Sequence, residues 1–101
     1  MRHLVFAAFL LLPASAMADV TIEIREFSFT PAEVTVTAGS TITWVNRDDT
    51  PHLVADADTP RRMKSPPLDT GESFSFVART SGVMRYFCSL HPHMQGTVVV
   101  R

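Results

Sequence analysis

The chain has 101 residues, of which 46% are hydrophobic and 19% are charged, with one cysteine and a formal net charge of −1. This length and composition are typical of one globular domain and exclude a disordered or fibrous chain. The balanced charge lacks the excess of Lys and Arg on which nucleic-acid binding depends, so no nucleic-acid partner is expected.

The N-terminal segment is typical of a secretory signal peptide. A polar start, Arg2-His3, precedes the apolar run Leu4 to Leu12, and Ala16-Met17-Ala18 has the small-residue pattern of a cleavage site. We therefore predict a signal peptide over residues 1–18 and an exported, periplasmic domain over residues 19–101. A membrane span needs about 20 apolar residues, so the run is too short for one and the mature protein is expected to be soluble.

The rest of the chain alternates apolar and polar residues with the period of two that predicts β-strands. Turn signals separate the alternating segments, among them Thr30-Pro31, Gly39-Ser40 and Ser81-Gly82. Short strands at this spacing favour an all-β fold, either a sandwich or a small barrel. The predicted strand segments are 20–25, 33–37, 42–44, 73–76, 83–88 and 97–100.

Residues 58–70 interrupt this rhythm. They contain three prolines and a basic cluster, Arg61, Arg62 and Lys64, with little apolar periodicity. The segment is predicted to be a long surface loop, with an edge segment as an alternative. The basic cluster either docks an acidic partner or is simply solvated, and the second interpretation is favoured.

The segment from Tyr86 to Gly96 carries the candidate chemistry. Cys88, His91 and Met94 fall at intervals of three, and a short loop at a strand end can turn a thiolate, an imidazole and a thioether toward one point. His52, which follows a polar turn, could supply a second imidazole from across the sandwich.

This donor set selects a metal. Two His and one Cys with a weak axial Met is the ligand set of blue copper sites, whereas structural zinc uses four Cys or His donors and seldom a thioether. The sequence therefore predicts one type 1 copper ion. Its predicted ligands are His52, Cys88, His91 and Met94.

The same residues resemble those of the type 1 copper proteins called cupredoxins. The resemblance lies in the Cys-x-x-His-x-x-Met run, in the valine-rich final strand and in Asn46, six residues before His52. The two-residue gaps on both sides of His91 and the following Pro92 resemble the amicyanin-like subfamily in particular. The resemblance implies a Greek-key β-sandwich with its ligand loops at one end, strong equatorial bonds from the Cys and both His, and a weak axial bond from Met94.

The resemblance also assigns roles around the ligands. It implies that Asn46 ties the ligand loops together by side-chain hydrogen bonds and that Tyr86 occupies a recurrent tyrosine position. His91 would lie at a solvent-facing apolar patch through which electrons pass, with Leu90, Pro92 and Pro51 as members. Two positions depart from the family pattern. They are Leu53, where several relatives carry an asparagine, and His93, where an aromatic residue is usual.

These observations favour a monomeric, non-enzymatic electron carrier that moves between redox proteins outside the cytoplasm, such as a dehydrogenase and a cytochrome c. The alternative is a periplasmic copper-buffering or copper-delivery protein. A copper oxidase or reductase is disfavoured because Phe87 stands where multicopper enzymes carry a histidine, and because a dinuclear copper centre would need two cysteines.

Overall fold

A computed structural model describes residues 18–101 of the chain. The predicted signal peptide therefore lies outside the described residues, except for Ala18. Within residues 18–101 there is no helix with the length and apolar character needed to cross a membrane. The described residues form eight strands, which are β1 Val20–Arg25, β2 Ser28–Thr30, β3 Glu33–Val36, β4 Ser40–Asn46, β5 Ala55–Asp56, β6 Ser73–Ala78, β7 Gly82–Cys88 and β8 His91–Val100.

The strands form two four-stranded sheets, one in the order β2-β1-β4-β6 and the other in the order β3-β8-β7-β5. Both sheets are mixed, because β1 pairs in parallel with β4 and β3 pairs in parallel with β8, while the other pairs are antiparallel. The all-β sandwich expected from the sequence is confirmed.

The core lies between the two sheets and follows from the alternation of the strands. Strand β4 buries every second side chain from Ser40 to Asn46, with Ile42 and Trp44 fully buried between them. Apolar side chains of the second sheet, including Tyr86 and Val98, belong to the same hydrophobic cluster. Trp44 is therefore a core residue, as its place on a strand face predicts.

The proline-rich segment differs from a free surface loop. Residues 63–68 run antiparallel to residues 52–56, with isolated bridges between His52 and Leu68 and between Ala55 and Lys64. Met63, Ser65 and Leu68 are buried. Residues 63–68 therefore form the edge segment that the sequence offered as an alternative to a loop. Within this segment, Leu68 pairs with the backbone of His52.

The ligand segment also differs from the expected loop, because His91 and Met94 lie on β8 itself. Cys88 pairs with His91, while its neighbour Phe87 pairs with Gln95, so the ladder is irregular at this point. Residues 92–94 thus bulge out of the pairing. The bulge explains why donors spaced by three residues can occur in a strand, where an unbroken period of two would send them to opposite faces.

Candidate metal centre

Three of the four predicted ligands meet at one end of the sandwich. The Cys88 sulfur lies 3.7 Å from Nδ1 of His52 and 3.7 Å from Nδ1 of His91. The donor atoms of these three residues all lie within 4.8 Å of one another. His52 comes from the segment between β4 and β5, whereas Cys88 and His91 face each other across the β7–β8 turn.

The fourth predicted ligand, Met94, is buried on the same strand as His91. Met94 is 2% exposed and lies in the bulged part of β8, three residues after His91. It is also a member of the hydrophobic core, so its thioether lies in apolar surroundings. His93 is exposed, and its ring centroid lies 6.4 Å from that of His91.

The separations of the donor atoms fit a metal ion. An ion that bonds nitrogen at about 2.0 Å and thiolate sulfur at about 2.3 Å, as zinc does, separates them by about 3.7 Å when the angle is about 120°. Both nitrogen-sulfur separations agree with this trigonal value. With a weak thioether bond from Met94, these three donors would form the ligand set of a blue copper site, whereas structural zinc seldom takes a thioether.

The two imidazoles differ in their exposure to solvent. His52 and Cys88 are fully buried, while His91 is partly exposed beside Leu90, whose exposure is 52%. Pro51 and Pro92 are exposed as well. The residues expected to form an apolar patch around His91 are thus exposed, and the patch itself stays a prediction.

Two backbone hydrogen bonds with Leu68 fix the position of His52. Its N–H donates to the Leu68 carbonyl at 3.1 Å, and its carbonyl accepts from the Leu68 N–H at 2.8 Å. The next residue, Leu53, donates its backbone N–H to the Cys88 sulfur at 3.3 Å. The residue type at position 53 therefore does not prevent a hydrogen bond to the sulfur, because the backbone supplies it.

Asn46 has a narrower role than the resemblance implies. Its side-chain amide donates to the carbonyls of Thr50 and Leu68, and its oxygen accepts from the Asp48 N–H. These bonds brace the loop that leads to His52 and tie it to Leu68. Among the hydrogen bonds of the described residues, none joins the Asn46 side chain to the Cys88–Met94 segment.

Two contributors to the site were not singled out in the sequence. Asp48 accepts a hydrogen bond from Nε2 of His52 at 2.9 Å, and Phe27 packs its ring edge-on against His52 and His91. Burial alone would raise the pKa of Asp48, but hydrogen bonds from Phe27, His52 and Glu26 outweigh it and hold the pKa below its ordinary value. No local signal marks either residue, because Asp48 lies in a polar turn and Phe27 lies outside the predicted strand segments.

The basic cluster is largely engaged within the protein. Arg62 binds the buried carboxylate of Asp56 at 2.6 Å, and the Arg61 guanidinium lies 5.5 Å from the centre of the Phe87 ring. These contacts within the protein differ from both expectations, because the sequence predicted either a solvated cluster or a docking patch and not the ion pair of Arg62 with Asp56.

Comparisons with known proteins agree with this geometry. A family model described as a Cupredoxin-like domain matches residues 2–100. The chain is 32% identical to the amicyanin of Paracoccus denitrificans over 92 residues, which cover 86% of the chain and 70% of the relative. It is 37% identical to the plastocyanin of Scenedesmus fuscus, covering 82% of the chain and 100% of the relative.

A solved structure, described as a novel purple cupredoxin from Nitrosopumilus maritimus, superimposes with a TM-score of 0.77 at 33% identity, over 82% of the chain and 100% of the relative. The family model covers almost the whole sequence, and an amicyanin is among the relatives. The chain therefore belongs to the cupredoxin family, as a member of the amicyanin-like kind.

Proposed function

We propose that this protein is a small type 1 copper protein that carries single electrons between redox partners. The observation that carries the proposal is the meeting of the Cys88 sulfur with two imidazole nitrogens at 3.7 Å, one of them delivered from a distant part of the chain. The proposed ligands are His52, Cys88, His91 and Met94. When bound, the copper ion supplies a one-electron couple between Cu(II) and Cu(I), which imidazole and sulfur ligands respectively suit.

The chain's own residues hold the donors in place before any ion arrives. Backbone hydrogen bonds fix His52 against Leu68, and the Leu53 N–H contacts the Cys88 sulfur. Full burial of His52 and Cys88 excludes water from this side of the site. A rigid, dry donor set supports the carrier function, because electron exchange is fast when the ligands need not rearrange.

The partner surface is proposed to be the apolar patch around His91. Leu90 is 52% exposed and Phe27 is 41% exposed beside the one partly exposed imidazole. The patch gives an electron the shortest way to the solvent through a ligand ring. We propose that donor and acceptor, such as a dehydrogenase and a cytochrome c, dock here in turn on a monomer.

Export completes the proposal. The signal-peptide pattern of residues 1–18 supports cleavage after Ala18 and a periplasmic location for a copper domain over residues 19–101. N-terminal sequencing of the protein purified from the periplasm of an expressing bacterium should begin at Asp19. An unprocessed N-terminus would contradict this part of the proposal alone.

Visible absorption, EPR spectroscopy and voltammetry of the copper-loaded protein test the function. We expect an intense thiolate-to-Cu(II) band, the narrow hyperfine splitting of a type 1 site and a reversible one-electron wave without loss of metal. Cys88→Ala should abolish the band, and His91→Ala should change it. His93→Ala is the matched control, because its ring is exposed on the same strand, and it should leave the spectrum unchanged.

The competing function is copper buffering or delivery. It predicts rapid release of Cu(I) to a chelator and no reversible wave. A wild-type protein that behaves in this way would overturn the carrier proposal. A copper-dependent oxidase or nitrite reductase activity in the purified protein would overturn the proposal that it is not an enzyme.

A further inference from the structure

One carboxylate links the buried imidazole of the site to a neighbouring turn. Asp48 lies four residues before His52, and its side chain is 12% exposed. One oxygen accepts from the Glu26 N–H at 2.6 Å, and the other accepts from the Phe27 N–H at 2.9 Å and from Nε2 of His52 at 2.9 Å. These three donors come from two parts of the chain more than twenty residues apart.

The turn between β1 and β2 depends on these bonds. Glu26 and Phe27 have φ angles of 50° and 58°, in the left-handed region that non-glycine residues rarely occupy. Two such residues in succession need compensation from their surroundings. Asp48 supplies it by accepting the backbone N–H of both residues.

This turn also places the aromatic ring of Phe27 beside the two imidazoles of the metal centre. The Phe27 ring centroid lies 5.1 Å from that of His52 and 4.9 Å from that of His91, with the rings nearly perpendicular. Such edge-to-face contacts lie within the favourable range for aromatic pairs. Phe27 thus touches both imidazoles at once.

The bond to His52 also selects a tautomer. An ionised carboxylate can only accept, so Nε2 of a neutral His52 carries the hydrogen and Nδ1 keeps its lone pair. Nδ1 is the atom that faces the Cys88 sulfur. A carboxylate behind a ligand histidine is a known way of orienting the ring and strengthening its metal bond.

We propose that Asp48 is a positioning residue of this metal centre. Its carboxylate fixes both the tautomer of His52 and the position of the Phe27 ring, which contacts His52 and His91. This inference rests on the proposed copper function. The effect of Asp48 on the His52 tautomer and on the Phe27 ring concerns the metal-free protein and can be tested without copper.

The test compares Asp48→Ala and Asp48→Asn with Asp49→Ala. Asp49 is exposed, and its side chain forms no hydrogen bond among the described residues, so its loss removes the same charge from the neighbouring position. Asp48→Asn keeps the shape and one acceptor oxygen, and serves if the alanine variant fails to fold. Phe27→Ala separates the effect of the ring from that of the imidazole bond.

The first readout is NMR of the metal-free protein above the pH range of histidine titration. Wild type and Asp49→Ala should show His52 as the Nε2–H tautomer, slow amide exchange at Glu26 and Phe27, and contacts between the Phe27 ring and both imidazoles. Asp48→Ala should mix the tautomers, speed the amide exchange and weaken the ring contacts. Asp48→Asn should fall between the two.

The second readout is copper affinity and reduction potential. Loss of such a hydrogen-bonding partner typically weakens metal binding by about 10–100-fold. We expect a weakening of this size and a shifted potential in Asp48→Ala, neither of them in Asp49→Ala, and a potential shift with smaller loss of affinity in Phe27→Ala. An Asp48→Ala protein with wild-type tautomer and amide exchange, or with the affinity of Asp49→Ala, would overturn the inference.

The two proposals can fail separately. If wild type binds no copper reversibly, the copper function fails, while the tautomer and amide measurements still decide whether Asp48 orders His52 and the turn. If wild type is a normal copper carrier and Asp48→Ala matches it, only the positioning role fails.

Discussion

The ring of Tyr86 occupies the space that a side chain at position 96 would need. The two residues are cross-strand partners on β7 and β8, and a Cβ at Gly96 would overlap Cζ and Oη of Tyr86. Tyr86 is 1% exposed and packs edge-on against Phe29 and Trp44, which hold its ring in this position. The glycine is therefore required by its neighbour and not by its own backbone angles.

Replacement of Gly96 with alanine should destabilise the domain. Overpacking of a filled core costs about 1–3 kcal/mol, and β8 also carries His91 and Met94. Denaturant unfolding of the metal-free protein measures the loss. Tyr86→Leu, which removes the clashing atoms, should recover part of it in the double variant, so additive effects would contradict this explanation.

Ionisation of Tyr86 should destabilise the protein in alkali. Burial raises the pKa of Tyr86 from 10.0 to about 12. Between these values the unfolded chain loses the proton first, so the free energy of unfolding falls as pH rises, by about 2–3 kcal/mol in total at about 1.4 kcal/mol per pH unit. The chain has one tyrosine, so ultraviolet titration of tyrosinate reports on this residue alone.

Tyr86→Phe is the companion variant. The hydroxyl is buried and has no partner at hydrogen-bonding geometry among residues 18–101; an interaction with the Trp44 side chain only partly offsets the effect of burial on its pKa. Its removal should therefore be neutral or slightly stabilising near pH 7. It should also flatten the alkaline loss of stability. An ordinary tyrosine pKa in the folded wild type would contradict the prediction.

The Asp56–Arg62 pair should control part of the acid stability. Asp56 is fully buried, and its carboxylate accepts from the Arg62 side chain and from the N–H groups of Asp58 and Arg62. Burial alone would raise the pKa of Asp56, but these bonds outweigh it and lower the pKa below 3.8. The stabilisation is therefore present above the unfolded pKa and is lost as pH falls through the lower, folded value.

Arg62→Met tests this pair. We expect a loss of about 1 kcal/mol at pH 7, a small value because Arg62 is 39% exposed and its charge is screened by solvent. The midpoint of acid unfolding should move to higher pH. Arg79→Met, at an exposed arginine without a salt bridge among the described residues, is the control and should leave the acid midpoint unchanged.

Copper should stabilise the folded protein by mass action. The proposed ligands come from three places in the fold and are not gathered in an unfolded chain, so binding favours the native state. Free metal at 100 times its dissociation constant adds about 2.7 kcal/mol. Thermal unfolding with and without copper measures the gain, which should vanish in Cys88→Ala. An equal gain in that variant would place the ion elsewhere.

Met94→Leu should keep the copper ion and change its reduction potential. The axial thioether bond is weak in such sites, so it tunes the potential more than it holds the ion. Voltammetry measures the shift. Met84→Leu is the matched control, because both methionines are 2% exposed and only Met94 is a proposed ligand. Equal potentials in the two variants would exclude Met94 from the site.

Much of the site could be predicted from local patterns. The spacing of Cys88, His91 and Met94 identifies three donors within seven residues, and alternation identifies the strands that hold them. Nδ1 of His52 lies 3.7 Å from the Cys88 sulfur, although the two residues are 36 positions apart. The donor chemistry indicated this contact, because a type 1 copper site needs a second imidazole beside the thiolate and the imidazole of the Cys88–Met94 segment.

What could not be predicted depends on contacts between distant segments. Asp48 reaches back to Glu26, and nothing in a polar turn indicates which backbone it will bind. The burial of Met63 and Leu68 could not be predicted, because a proline-rich segment without apolar periodicity resembles a loop. In the structure, this segment pairs with residues 52–56. The bulge in β8 is likewise a property of pairing with β7.

The parallel pairing of β3 with β8 joins two distant parts of the chain. Glu33 lies beside Thr97, so this ladder joins positions 64 residues apart and cannot form until both segments are available. Folds that rely on such distant pairings acquire their structure slowly. Strand β8, which carries His91 and Met94, pairs locally with β7, but its pairing with β3 requires this distant contact. We therefore expect metal insertion to be a late step in maturation, made on a finished framework and not used as a nucleus for folding.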